Sequence, residues 1–199
     1  MSLRVHQYEK VFTALARKYN TAFKVQQLIK KLKYNQQSTM MSALDVHYQR
    51  TAHCMEGAFY AAAILEYLGH PPLTISFESQ DGLDHVIYLF KQNNFWGSIG
   101  QSRDQGLMGR KPVFRSVRDL AWSYFDPYVD ATGRILAYQV IDLNETNSHW
   151  KHSPLNVWKA ENYFLKKKHI RMISSDKRYQ KLFRRYQKVG PVPQSKNWW

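Results

Sequence analysis

The sequence predicts an α+β domain, and three observations lead there. Two helical patterns open the chain, three strand-like runs follow one another between residues 73 and 102, and further helical patterns fill the second half. Runs of strands and runs of helices of this kind permit a segregated α+β layout, and a parallel doubly wound sheet would overturn it. At 199 residues the chain is long enough to bury a sizeable core as one domain with extensions. Aromatic residues make up 15% and Gly and Pro are modest, which argues against disorder away from the termini.

Residues 6–19 and 22–33 carry apolar side chains near three-to-four spacing, among them Val11, Phe12 and Leu15, then Phe23, Val25, Leu28 and Leu32. They are expected to pack as a lead-in pair. Tyr34 and Asn35 break the pattern, and residues 39–49 suit another short helix. An Ala- and Leu-rich run at 55–68 has high helix propensity and is closed by Gly69, with Pro71 and Pro72 beyond. It is apolar almost all round, so it should be buried.

Residues 73–102 read as three strands rich in β-branched and aromatic side chains. The turn signals Gln80-Asp81-Gly82 and Gln92-Asn93-Asn94 divide them. Glycines and charges make 102–112 a loop, and Ser116 to Asp119 resembles a capping box opening a helix through Tyr124. Residues 134–143 form a strand, 144–153 a polar loop and 156–168 a helix. Ser174 or Ser175 caps a last helix that runs through Lys188 and stops at Gly190-Pro191. On it Tyr179, Leu182, Phe183 and Tyr186 share a face that should dock, leaving Lys177, Arg178, Lys181, Arg184, Arg185 and Lys188 to solvent. The tail ends in Trp198 and Trp199, either disordered or docked by the indoles.

The formal net charge is +14, and it is uneven. Residues 151–199 hold thirteen Lys or Arg against Glu161 and Asp176, so that stretch carries +11. Residues 1–150 are therefore expected to form a near-neutral core, with 151–199 a basic helical extension packed on the same domain. Such asymmetry suggests an acidic partner: nucleic acid, an anionic membrane surface or an acidic protein. No run approaches the ~18 apolar residues of a membrane span, and residues 1–19 lack the apolar core of a signal peptide. No internal repeat, phosphate loop or dinucleotide fingerprint points to a cofactor. His149 and His152 have no Cys, Asp or Glu at zinc-like spacing, so no metal site is expected, and the oligomeric state is left open.

Cys54 is the only cysteine, and it falls in the first turn of the buried helix. There the unsatisfied N–H groups and the positive end of the dipole favour a thiolate. A lone cysteine is also, on its own, an ordinary small buried hydrophobe. It excludes an intrachain disulfide and fits a reducing, cytoplasmic setting.

A buried helix opening with Cys54, then a strand opening with His85, then a strand opening on Phe95-Trp96-Gly97, resembles the transglutaminase-like superfamily of papain-like cysteine enzymes. The resemblance covers roughly residues 28–102. It implies a cysteine-bearing helix packed on an antiparallel sheet with flanking helices, Cys54 as nucleophile and His85 as its base. It also implies an acid on the strand 95–102, about four residues past Trp96, where this chain has Gly100.

A turn at Asn93-Asn94 would set His85 opposite Ser102, whereas a turn one residue earlier would select Gly100. Ser102 is thus the best polar candidate to orient His85, with Asp104 second if the strand bulges. Asp84 should point to the opposite face of its strand. His53 is expected to be structural or part of an entry loop, because adjacent residues rarely face each other on a helix. Glu56 suits a helix start.

The implied chemistry is acyl transfer from a peptide or amide substrate through a thioester, with the Cys54 N–H in the oxyanion site. Tyr34, Asn35 and Gln36 are the candidates for its second donor. Water as acceptor makes a hydrolase, an amine makes an acyltransferase, and the sequence does not choose between them. Two other classes stay open: a degenerate transglutaminase-like binding module, and a polyanion binder acting through the basic segment.

Overall fold

The structure, a computed structural model, describes residues 3–82, 84–193 and 195–199. Leu83, in the expected strand region, and Gln194, in the tail, lie outside the described residues, as do Met1 and Ser2. The chain runs α1 (Leu3–Lys18), α2 (Ala22–Ile29), β1 (Lys33–Tyr34), α3 (Ala43–Gln49), β2 (Thr51–Ala52) and α4 (Cys54–Glu66). There follow β3 (Leu73–Ser79), β4 (His85–Gln92), β5 (Phe95–Ile99), a 3-10 turn at Gln105–Leu107 and β6 (Arg110–Phe114). The second half holds α5 (Val117–Tyr128), β7 (Ile135–Asp142), a 3-10 turn at Leu143–Thr146, α6 (Trp158–Lys166), β8 (Ile170–Arg171) and α7 (Asp176–Val189). The class is α+β, as the strand and helix patterns predict. No helix among the described residues is long and apolar enough to cross a membrane.

The main sheet has the order β6-β5-β4-β3-β7-β8, and every pairing in it is antiparallel. Helices cover both of its faces. Because side chains alternate along a strand, Val86, Tyr88 and Phe90 of β4 enter one core with α1 to α4 and α6. Ile87 and Leu89 enter the other, with Leu120, Ala121, Tyr124 and Phe125 of α5. Helix α4 is the hub of the first core: every residue from Met55 to Leu65 is buried, as a helix apolar all round requires.

Side-chain caps set several helix starts. Thr21, Ser42, Ser116 and Ser175 each accept a backbone N–H of the following turn. The β4–β5 hairpin turns at Asn93 and Asn94, both with positive φ (50° and 65°), and pairs Gln92 with Phe95. Strand β6 begins inside the stretch expected to be loop, because β5 gives it an edge to pair with. At the opposite edge β8 joins β7, pairing Tyr138 with Ile170, so the basic stretch contributes a strand to the same sheet. On α7, Tyr179, Leu182 and Phe183 pack against the second core while Lys177, Lys181, Arg184 and Lys188 are exposed.

The last residues are docked. Trp198 is buried and pairs with Arg110, and the Trp199 indole N–H donates to the Ser98 carbonyl at 2.8 Å.

Candidate active site

Strands β1 and β2 pair in parallel, Lys33 with Thr51 and Tyr34 with Ala52, which lays Tyr34 beside the chain entering α4. Arg50 takes a left-handed conformation to end α3 and turn into β2. His53 is the N-cap of α4 with extended backbone (φ −84°, ψ −176°), and Cys54 is its first helical residue. The first intrahelical bond, Gly57 N–H to the His53 carbonyl, is 2.9 Å long. The N–H groups before it lie outside the helix ladder, at the positive end of the dipole.

Cys54 is half-buried and sits where two clefts meet, of about 590 and 680 Å³. The first is lined by His85, Ser102, Asp104, Tyr128, Tyr186 and Trp198 among others, the second by His53, Gln36, Ser76 and Trp158 among others. Tyr34, Cys54, Asp84 and Arg103 belong to both and form the waist between them.

Burial alone would push the Cys54 thiol up, but hydrogen bonds from His53 and His85, with their positive charge, prevail and bring it down to about 5. For His53, burial disfavours the imidazolium, yet the bond to Cys54, the nearby Glu56 and the Thr39 carbonyl raise it to about 9. The structure thus brings Cys54 and His85 together, and it adds His53, which the sequence reading set aside. That reading applied the splay of neighbours inside a helix. An N-cap has extended backbone, so its side chain is free to turn back on the next residue.

His85 is the first residue of β4, paired with Phe77. Its Nε2–H donates to the Leu107 carbonyl at 2.8 Å, which leaves Nδ1 for the sulfur. The expected Ser102 contact is not formed. The hairpin has the register that would oppose Ser102 to His85, but the ladder ends at Tyr88 and Ile99. Beyond it the buried Gln26 amide takes both backbone groups of Gly100, accepting its N–H and donating to its carbonyl, each at 3.0 Å. Strand β5 is thereby drawn away to α2, and Ser102 Oγ accepts the Asp104 N–H at 3.1 Å instead. Asp104 lines the same cleft as Ser102, and it is the Leu107 carbonyl that holds the ring.

That carbonyl is braced from within the second core. Arg110, fully buried, donates to the carbonyls on either side of Leu107, Gly106 at 2.5 Å and Met108 at 2.8 Å. Its guanidinium stacks between the Tyr124 ring (3.8 Å) and the Trp198 ring (4.5 Å). Sequence reading missed both residues, since a carbonyl has no side-chain signature and Arg110 read as a loop charge.

Of the candidates for the second oxyanion donor, Asn35 is taken: its amide donates to Thr39 Oγ1 at 2.7 Å and Glu56 Oε2 at 3.0 Å. Gln36 lines the second cleft only, whereas Tyr34 faces both. Burial, and then the negative charge of Cys54, raise the Tyr34 phenol, so it keeps its proton and remains a donor. Asp84 is exposed at the waist, and the partial burial of its carboxyl raises it above its ordinary value against the opposing pull of the Ser79 N–H.

Fold and site together define an α+β protein with a cysteine at the start of a buried helix packed on an antiparallel sheet. No protein-family model matches the chain, and no curated protein matches it. Among solved structures it is similar to one described as a putative cysteine protease from Cytophaga hutchinsonii, at a TM-score of 0.40 and 15% identity. The match covers 71% of this chain and 49% of that one, so it spans about half of the solved chain's length.

Proposed function

We propose that the protein is a cysteine-dependent hydrolase or acyltransferase of the transglutaminase-like kind, acting on an amide or peptide carbonyl through a thioester at Cys54. The observation that carries this reading is one thiol bonded to two imidazoles at a helix start, midway along a two-sided groove. An inert structural cysteine has no use for such surroundings.

The chemistry follows from the contacts. The thiol proton passes to a neighbouring imidazole, and the thiolate attacks the carbonyl carbon. The oxyanion that forms meets the first-turn N–H of Cys54, with the Tyr34 hydroxyl as the second donor. The imidazolium then returns its proton to the departing amine as the C–N bond breaks, leaving the thioester. Water or an amine gives its proton to an imidazole, attacks the thioester and frees the thiolate. His85, aligned by the Leu107 carbonyl, acts as base, and Ser102 serves as a polar wall of the cleft. Clefts on both sides of Cys54 suit a substrate extended in both directions from the scissile bond, as a peptide is. A reducing compartment such as the cytoplasm would keep the thiol active.

The test is incubation with an activated acyl ester, followed by mass spectrometry of the intact protein under acid quench. A covalent acyl adduct is expected on Cys54 and absent in Cys54→Ala. Failure to acylate, together with an ordinary thiol titration, would leave the degenerate binding module as the better reading.

A second reading stands beside this one for the basic stretch 151–199, taken as an extension of the same domain. Lys177, Lys181, Arg184 and Lys188 of α7 are exposed at i, i+4, i+7 and i+11, which is one helix face about 16 Å long. Such a stripe suits a polyanion.

A further inference from the structure

Two imidazoles meet one sulfur at this site, and they are backed differently. His85 donates its Nε2–H to a neutral carbonyl, that of Leu107. His53 donates its Nε2–H to the Thr39 carbonyl at 2.8 Å, and the same nitrogen stands 3.5 Å from Glu56 Oε1. Among the ion pairs of the described residues, His53 with Glu56 is recorded and none involves His85. Glu56 is wholly enclosed. Its oxygens accept from Thr39 Oγ1 (2.6 Å), Met41 N–H (2.9 Å), Asn35 Nδ2 (3.0 Å) and the His53 N–H (3.0 Å), the acceptor-only pattern of a carboxylate.

We propose that His53, backed by the buried Glu56 carboxylate, is the imidazole that holds the Cys54 proton in the resting site. The acid of the relay then lies on the cysteine's own helix, three residues from His53, instead of on a neighbouring strand. The inference rests on the acyl-transfer reading of Cys54 and assigns to His53 the thiol proton, which that reading gives only to a neighbouring imidazole, leaving His85 as base toward the incoming water or amine.

The physical reason is charge. An imidazolium beside a carboxylate in a dry setting is favoured over one that meets only a carbonyl dipole. Because Nε2–H is committed to Thr39, Nδ1 is the atom that receives the proton. Only the S–H bond breaks, the new N–H forms on His53 Nδ1, and thiolate and imidazolium result. His85 has its Nε2–H on the Leu107 carbonyl, which leaves Nδ1 to take a proton from the incoming water or amine. The other charged or titratable groups facing the sulfur are Tyr34, Asp84, Arg103 and Tyr128, with Asp104 next to Tyr34. Arg103 favours the thiolate, and Asp84 and Asp104 oppose it. The raised His53 and lowered Cys54 values have the directions that this pairing requires.

The test measures Cys54 alkylation by iodoacetamide from pH 4 to 10 in the parent, His53→Gln, His53→Asn, Glu56→Gln and His85→Gln, each checked by circular dichroism and thermal melting. The parent midpoint is expected near pH 5. Both His53 variants should move it up by at least about one unit, a roughly tenfold slower reaction at pH 4, and Glu56→Gln should move it in the same direction. His85→Gln should keep an acidic midpoint while losing turnover. If Glu56→Gln fails to fold, the His53 variants decide, because they retain the backbone N–H that Glu56 accepts. An unmoved midpoint in both His53 variants, or a rise in His85→Gln alone, overturns the proposal. Alkylation needs no substrate, so an acidic, His53-dependent midpoint without any acyl adduct would overturn the acyl-transfer reading and leave the His53 pairing standing.

Discussion

At the scale of the residue, the site turns on which atom holds each imidazole. Since the Leu107 carbonyl fixes the His85 ring, Ser102 has no hold on it. Ser102→Ala is therefore expected to leave the pH midpoint of Cys54 alkylation where it is, and a clear upward shift would reinstate the hydroxyl as orienter. Turnover should follow a bell. It rises as the thiol ionises near pH 5 and falls as His53 gives up its proton near pH 9. The sign follows from the pair: below the first value the nucleophile is protonated, and above the second no imidazolium remains to supply the leaving group. A kcat/KM profile from pH 4 to 10 checks it, and a rising limb at the usual thiol range above pH 8 would contradict it.

At the scale of the element, the loop between β5 and β6 is held by a buried cation rather than by its own sequence. Arg110 donates to the carbonyls of Gly106, Met108 and Ser123, and to Ser123 Oγ. Burial lowers its pKa, and the neighbouring Tyr124 works the other way. Arg110→Met keeps the packing volume but orphans those carbonyls, at on the order of 1–3 kcal/mol for each that finds no water. The expected outcome is a urea midpoint shifted down, with loss of turnover out of proportion to the unfolded fraction, because Leu107 no longer presents its carbonyl to His85. Full activity in the folded variant would show that the loop needs no brace. Gly57 shows the same dependence of the site on its neighbours: a Cβ there would lie 2.8 Å from the Gln101 Cβ, so α4 approaches the chain after β5 as closely as glycine permits.

At the scale of the whole molecule, the charge separates into two parts that the sheet joins. The core around the groove has aspartates at its waist and rim, while 151–199 carries the positive excess. Strand β8 and the apolar face of α7 fasten that stretch to the second core, and Tyr186 of α7 reaches the cleft wall. If the stripe of four exposed cations binds a nucleic acid, log affinity should fall with log salt at a slope of about −3 to −4. Replacing Lys177, Lys181, Arg184 and Lys188 by Gln should remove most of that slope and leave acylation of Cys54 intact. Fluorescence anisotropy with a labelled oligonucleotide in a salt series reads both, and salt-independent affinity would count against the stripe.

The sequence by itself determined the main helices, the strand runs of β3, β4, β5 and β7 and two candidate registers for the β4–β5 hairpin, because these are written in local periodicity, capping residues and the paired asparagines, and the structure chose the register with the turn at Asn93-Asn94. It also determined that Cys54 opens a buried helix and that His85 opens a strand. Only the tertiary structure decided what surrounds them. The β5 ladder stops where a glutamine from α2 captures Gly100, some seventy residues away in the chain, and that distant amide removes Ser102 from His85. The group that takes its place is a backbone carbonyl, which any residue carries and no sequence pattern marks. His53 was in plain view beside Cys54, and what hid it was conformation: helical periodicity describes residues inside a helix, and a cap obeys the extended geometry of the chain that enters it.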